Sequence, residues 1–148
     1  MTDFNKVINT SIAFEKNDSV DYNCATERLE NMLVKISGNT TKIEANEIKD
    51  VGKYPVITQS ADTVISGYTD SRKPIEDLPL IVFGDHSCTV KYIDYPFVRG
   101  ADGTQLIKID ESKCRLKYLF RFLEQAKIHN EDKYERHFKY LKKMSIPI

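Results

Sequence analysis

Residues 78–106 read LPLIVFGDHSCTVKYIDYPFVRGADGTQL, and no other part of the chain holds so many structural signals. Leu80, Ile81, Val82 and Phe83 form a continuous apolar run, the pattern of a strand covered on both faces. Gly84 ends that run. Cys88, Val90, Tyr92 and Asp94 then alternate with Thr89, Lys91 and Ile93, which predicts a second strand pairing back as a hairpin. Pro96 limits this strand, and Gly100 and Gly103 give the backbone freedom for a tight corner. Residues 106–109 complete the series as a last strand.

Working outward, residues 54–58 and 63–66 are rich in β-branched side chains and predict two short strands. The polar connection Gln59-Ser60-Ala61-Asp62 joins them, and residues 67–70 turn the chain before Ser71-Arg72-Lys73-Pro74. Further upstream, Leu29, Met32, Leu33 and Ile36 recur at helical spacing, with Thr26 as N-cap and Gly38 as C-cap glycine. The polar segment 39–48 reads as a loop, and residues 1–21 as an N-terminal arm that docks loosely or pairs as an edge strand. Downstream, Leu116, Leu119, Phe120 and Leu123 follow the i, i+3, i+4, i+7 rule behind a cap at Asp110 or Ser112. Tyr134, Phe138 and Leu141 set up a second short helix. The apolar end Ile146-Pro147-Ile148 calls for something to continue or dock there.

The 148 residues fit one domain able to bury a core. Charges balance at 22 basic and 22 acidic, so no global field announces a partner. Their distribution is uneven. Residues 113–148 carry ten basic and four acidic side chains, whereas residues 1–30 carry three and six. This basic helical region suits phosphate contact, although a solvated face is the commoner outcome for such a charge run. Cys24, Cys88 and Cys114 are odd in number and widely spaced, which favours neither a disulfide framework nor a zinc site. No apolar run approaches the roughly 18 residues of a membrane span. A cytoplasmic setting is the expectation, with no membrane partner.

Asp85 and His86 invite a catalytic reading, because a carboxylate can orient an imidazole for general base work. A turn whose side chains bond local amides is the stronger reading. No nucleophile motif, glycine-rich phosphate loop or dense metal-ligand set accompanies the pair. These residues describe a binder with no catalytic and no metal residues, not an enzyme. A small hydrolase or nuclease using Asp85 and His86 remains the alternative, as does a remnant that only docks a partner protein.

Together GKYPVITQS, ISGYTD, LPLIVFGDHSCTVKYIDYPFVRGADGTQLI and YERHFKYLKKMSIPI resemble a target recognition domain of a type I restriction–modification specificity (S) subunit. The helix RLENMLVKISGNT resembles the opening of such a domain, and the match spans residues 22–148. The resemblance implies an α/β (α+β) fold. Its features are a curled, mostly antiparallel sheet with flanking helices, like the recognition domain of some DNA adenine methyltransferases. It implies double-stranded DNA as ligand, one such domain reading one half of a bipartite target. Partners would be methyltransferase (modification) and restriction subunits, and self-association is possible. The domain itself would need no cofactor, since S-adenosylmethionine and ATP belong to those partner subunits. Residues 22–148 are expected to end before the family's long connecting helix, which leaves assembly with a methyltransferase open. A single DNA-binding module buries only about 600–1,000 Å², so one half-site reader without net positive charge is expected to bind weakly.

Sequence readout requires side chains that reach base edges. Gln59, Ser60, Tyr68, Arg72 and His86 are the candidates for that role. Lys42, Lys73, Lys91 and Arg99 are the candidates for phosphate. Arg136 and His137 match the family's Arg-His-Phe motif and are expected to bond the last helix to the sheet.

Overall fold

The computed structural model describes residues 25–126 and 137–148. The N-terminal arm predicted at 1–21 and Arg136 lie outside the described residues, as does Tyr134 of the predicted last helix. Among the described residues, β5 (Leu80–Gly84) organises the fold. It pairs antiparallel with β6 (Val90–Ile93) on one side and β8 (Thr104–Ile107) on the other. All five of its residues are buried. Because successive side chains point to opposite faces, Ile81 and Phe83 enter one core while Leu80 and Val82 enter another.

The first core lies under the helices. Ile81 and Phe83 meet Leu29 and Met32 of α1 (Leu29–Met32), and Leu116, Leu119, Phe122 and Leu123 of α2 (Leu116–Ala126). Leu141 of α3 (Phe138–Leu141) and Ile146 of β9 (Ser145–Pro147) complete it. The second core packs Leu80, Val82 and Ile93 against Ile57, Ile75 and Phe97. Ile57 belongs to β3 (Tyr54–Ile57), which lies in a mixed sheet ordered β2 (Lys42–Ile43), β7 (Val98–Gly100), β3, β4 (Gly67–Thr69). In that sheet β2–β7 and β3–β7 are parallel and β3–β4 is antiparallel. The expected mixed fold, with mostly antiparallel sheets and few helices, is present.

Several elements differ from their sequence patterns. The helix expected around residues 29–36 is only four residues long. Its upstream segment is β1 (Thr26–Arg28), which pairs antiparallel with β9. Thr26 is thus a strand residue, and Leu33 bridges to Ile109. Backbone pairing with two distant segments outweighs the helical periodicity of Leu29, Met32, Leu33 and Ile36. The apolar end finds its dock there: Ile146 is fully buried and the Ile148 N–H donates to the Ala25 carbonyl at 2.8 Å. The segment expected as a loop at 39–48 holds β2 and a 3-10 turn at Ala45–Glu47, closed by a Glu44/Glu47 capping box. Residues 63–66 are not a strand. The strand is β4, where a turn was expected. β8 begins two residues earlier than the pattern at 106–109. Cys88 leaves the alternating strand altogether and sits in a turn with φ 59°.

One ion pair ties the segment before β5 to the end of β8, and the same carboxylate reaches the segment after α1. Lys108 bonds Asp77, which also accepts from the Ser37 N–H at 2.8 Å and the Ser37 hydroxyl at 3.1 Å. The Lys108 hydrogen bond, followed by the Ser37 amide, holds the Asp77 carboxyl down to about 2. A carboxyl depressed in the folded state adds stability that is present above its ordinary value and lost on acidification. Asp77→Asn is therefore expected to flatten the loss of stability between pH 3.8 and about 2, measured by urea unfolding across that range.

Candidate nucleic-acid interface

The Gly-Asp-His turn is a structural knot. Asp85 is 2% exposed. Its N–H donates to the Gly103 carbonyl at 2.8 Å, and its own carbonyl accepts the His137 N–H at 2.8 Å. Its carboxylate accepts the Phe138 N–H at 2.9 Å and the Gln105 amide at 3.3 Å. The carboxylate thus caps the first turn of α3 across the fold, and the Phe138 ring packs tilted by 37° against Phe83 with centroids 6.1 Å apart. The His137 N–H thus ties the start of α3 to the end of β5, while the Arg136 part of the expected tie lies outside the described residues.

Gln59 is a second knot. Its Oε1 accepts the N–H groups of His86 and Ser87 at 3.0 and 3.1 Å, and its Nε2 donates to the Asp102 carbonyl at 2.9 Å. The Gln59 carbonyl accepts the hydroxyls of Ser87 and Thr89 at 2.7 and 3.1 Å. One side chain therefore joins the end of β3, the β5–β6 turn and the corner before β8. Gly103 makes that approach possible. Its φ is +73°, and a Cβ there would lie 2.5 Å from Gln59 Nε2.

The remaining candidates separate into two groups. Tyr54 faces Thr69 and Val56 faces Gly67 across β3–β4. The loop after β3, with Gln59 and Ser60, therefore leaves one end of the hairpin, and Arg72 and Lys73 leave the other. Lys42 and Arg99 are register partners, and Arg99 also faces Ile57, so both belong to the Gln59 end. His86 joins them through Gln59. Lys42 Nζ lies 4.0 Å from Asp102, a loose contact at the surface. Arg99 is half-buried, with its Nε lacking a partner among the described residues and its Nη1 donating to the Thr40 carbonyl at 3.4 Å. Burial lowers its pKa. Ser60 Oγ accepts the Asp62 N–H at 3.3 Å.

At the opposite end, Arg72 is exposed and paired with Glu47 at 3.0 Å. Lys73 is exposed, and its carbonyl accepts the Asn39 amide at 3.0 Å beside a polar cleft of about 300 Å³. Tyr68 lies in mid-hairpin, its backbone paired both ways with Lys49. Lys91 is buried at 7% exposure, with its Nζ bonded to the carbonyls of Thr58 and Thr63 at 2.8 and 2.9 Å. The sequence reading missed that Lys91 stands opposite Val82 on the core face of β6. The alternation of β6 held the signal, because Lys91 shares its face with Ile93.

A search of solved structures finds the crystal structure of a type I restriction–modification system S subunit from M. genitalium. The TM-score is 0.56 and the identity 15%, over 98% of this chain and 42% of that one. The two share a fold. This chain spans less than half the length of that S subunit. No protein-family model and no curated protein matches the chain. Among the described residues, no helix is long and apolar enough to cross a membrane.

Gln59→Ala would leave the His86 and Ser87 amides without their acceptor. A hydrogen bond of this half-buried kind contributes about 0.5–1.5 kcal/mol net, so losing the two amide bonds is expected to cost about 2 kcal/mol in urea unfolding. An unchanged midpoint would remove Gln59 from the scaffold.

Proposed function

We propose that this chain is a DNA-recognition domain of the type I specificity kind. It reads one half of a bipartite duplex target and directs a methyltransferase, and with it a restriction complex, to that site. The observation that carries this reading is the fold likeness to an S subunit over 98% of the chain. The bound duplex lies across the end of the sheets that carries Gln59, His86, Lys42 and Arg99, where several loops converge. Lys42 and Arg99 stand side by side in register at that end, which suits two neighbouring phosphates.

The domain, residues 22–148 in this reading, performs no chemistry of its own. The Asp85 carboxylate holds α3 through Phe138, a structural use that favours the turn reading over a hydrolase built on Asp85 and His86. S-adenosylmethionine and ATP belong to partner subunits, in the cytoplasm.

Binding to a pool of random-sequence duplexes tests this directly. Phosphate contacts release counterions, so affinity falls with salt by about 0.9 in log–log slope per phosphate. Fluorescence anisotropy is expected to give a dissociation constant of about 10⁻⁴–10⁻⁶ M that weakens from 50 to 200 mM salt. Lys42→Ala is expected to take about one unit off the slope, whereas Arg72→Ala, at the far end of β3–β4, leaves it unchanged. Binding that is absent, or indifferent to salt, overturns the reading.

A further inference from the structure

Residues 58–66 form a closed loop over the second core. The Thr58 and Ser66 hydroxyls meet at 2.5 Å across its neck, and the Ser66 N–H donates to the Val56 carbonyl at 2.9 Å. Lys91 rises beneath it from β6, and its Nζ also reaches the Val64 carbonyl at 3.4 Å. Among the described residues, Lys91 forms no ion pair. A buried ammonium satisfied only by neutral carbonyls carries a desolvation cost that no opposite charge offsets. Burial accordingly lowers the pKa of Lys91. What the cation gains is the fixed path of this loop, and Ile65 packs into the core at its far side.

The tip shows the reverse pattern. Ala61, Asp62, Thr63 and Val64 are all exposed, with Val64 at 51%. A β-branched apolar side chain and a carboxylate are thus held out into solvent on a braced backbone. Bracing lowers the ordering cost of binding, because the loop needs no further fixing.

We infer that residues 61–64 are the base-reading tip of this domain, held in place by Lys91 and Gln59 as positioning residues; this rests on the DNA-recognition reading above. The tip's chemistry fits base edges. A carboxylate accepts from the cytosine amino group, and an apolar side chain packs on the thymine methyl. A carboxylate is repelled by phosphate, so Asp62 favours a base edge over the backbone. Lys42 and Arg99, at the same end of the sheets, supply the backbone contacts.

The test selects bound sequences from a pool of random-sequence duplexes. Wild-type protein is expected to enrich a short motif. Asp62→Asn and Val64→Ser, both at exposed positions, are expected to lose preference at one or two adjacent positions of it. A good base contact discriminates by about tenfold or more, so enrichment there should fall by about that factor with the melting temperature unchanged. Lys91→Met is expected to weaken preference at the same positions while its salt slope matches wild type, as suits a side chain that touches no phosphate. Tip variants that select the wild-type motif overturn the inference, as does a Lys91→Met slope lower by about one unit. If Lys91→Met does not fold, the tip variants alone decide. If wild-type protein enriches no motif, the DNA-recognition reading itself falls, and the tip assignment with it.

Discussion

Leu80–Gly84 is a strand whose two faces must both be covered, and that requirement places most of the molecule. Ile81 and Phe83 need the helices α1, α2 and α3 on one side, while Leu80 and Val82 need the β3–β7 sheet on the other. Each fully buried side chain of this kind contributes about 1.5–3 kcal/mol. Neither layer could be removed without exposing half of the strand. The two edges of β5 are occupied by β6 and β8, so its backbone groups are met inside the sheet. The short outer elements, β1 and β9, close the helical side by pairing with each other.

Where β5 ends, the apolar logic stops and backbone groups need polar partners. Asp85 and Gln59 meet that need. Asp85 binds the corner before β8 and the start of α3, and Gln59 binds the turn and the same corner. These polar side chains are consumed by the scaffold. The loops they fix are thereby free to present other residues, among them the exposed tip at 61–64. Lys91 extends the same device to the loop after β3.

The hairpin was legible in the sequence because burial on both faces leaves an uninterrupted apolar run at Leu80, Ile81, Val82 and Phe83, followed by alternation. Helix α2 was legible because one face alone is buried, its stripe of Leu116, Leu119 and Leu123 facing one core. What failed depended on distant pairing. Thr26 and Leu33 are drawn into extended structure by Ser145–Pro147 and Ile109, which local spacing cannot report. Thr63 and Val64 carry strand propensity, but Lys91 captures their carbonyls. For the candidate site, the residue types were chosen by chemistry, and the antiparallel register of β3 and β4 then parted Gln59 and Ser60 from Arg72 and Lys73. That separation follows from chain order once β3 and β4 pair as a hairpin, and what local patterns misplaced was the second strand, at 63–66 instead of Gly67–Thr69.

The central claim is that duplex DNA lies on the Gln59 end of the sheets. Amide hydrogen exchange with and without a random-sequence duplex tests it most directly. Slower exchange is predicted in residues 59–66, 84–89 and 101–103, with residues 70–73 unchanged. Protection confined to residues 70–73, or no protection at saturating duplex, would contradict the account.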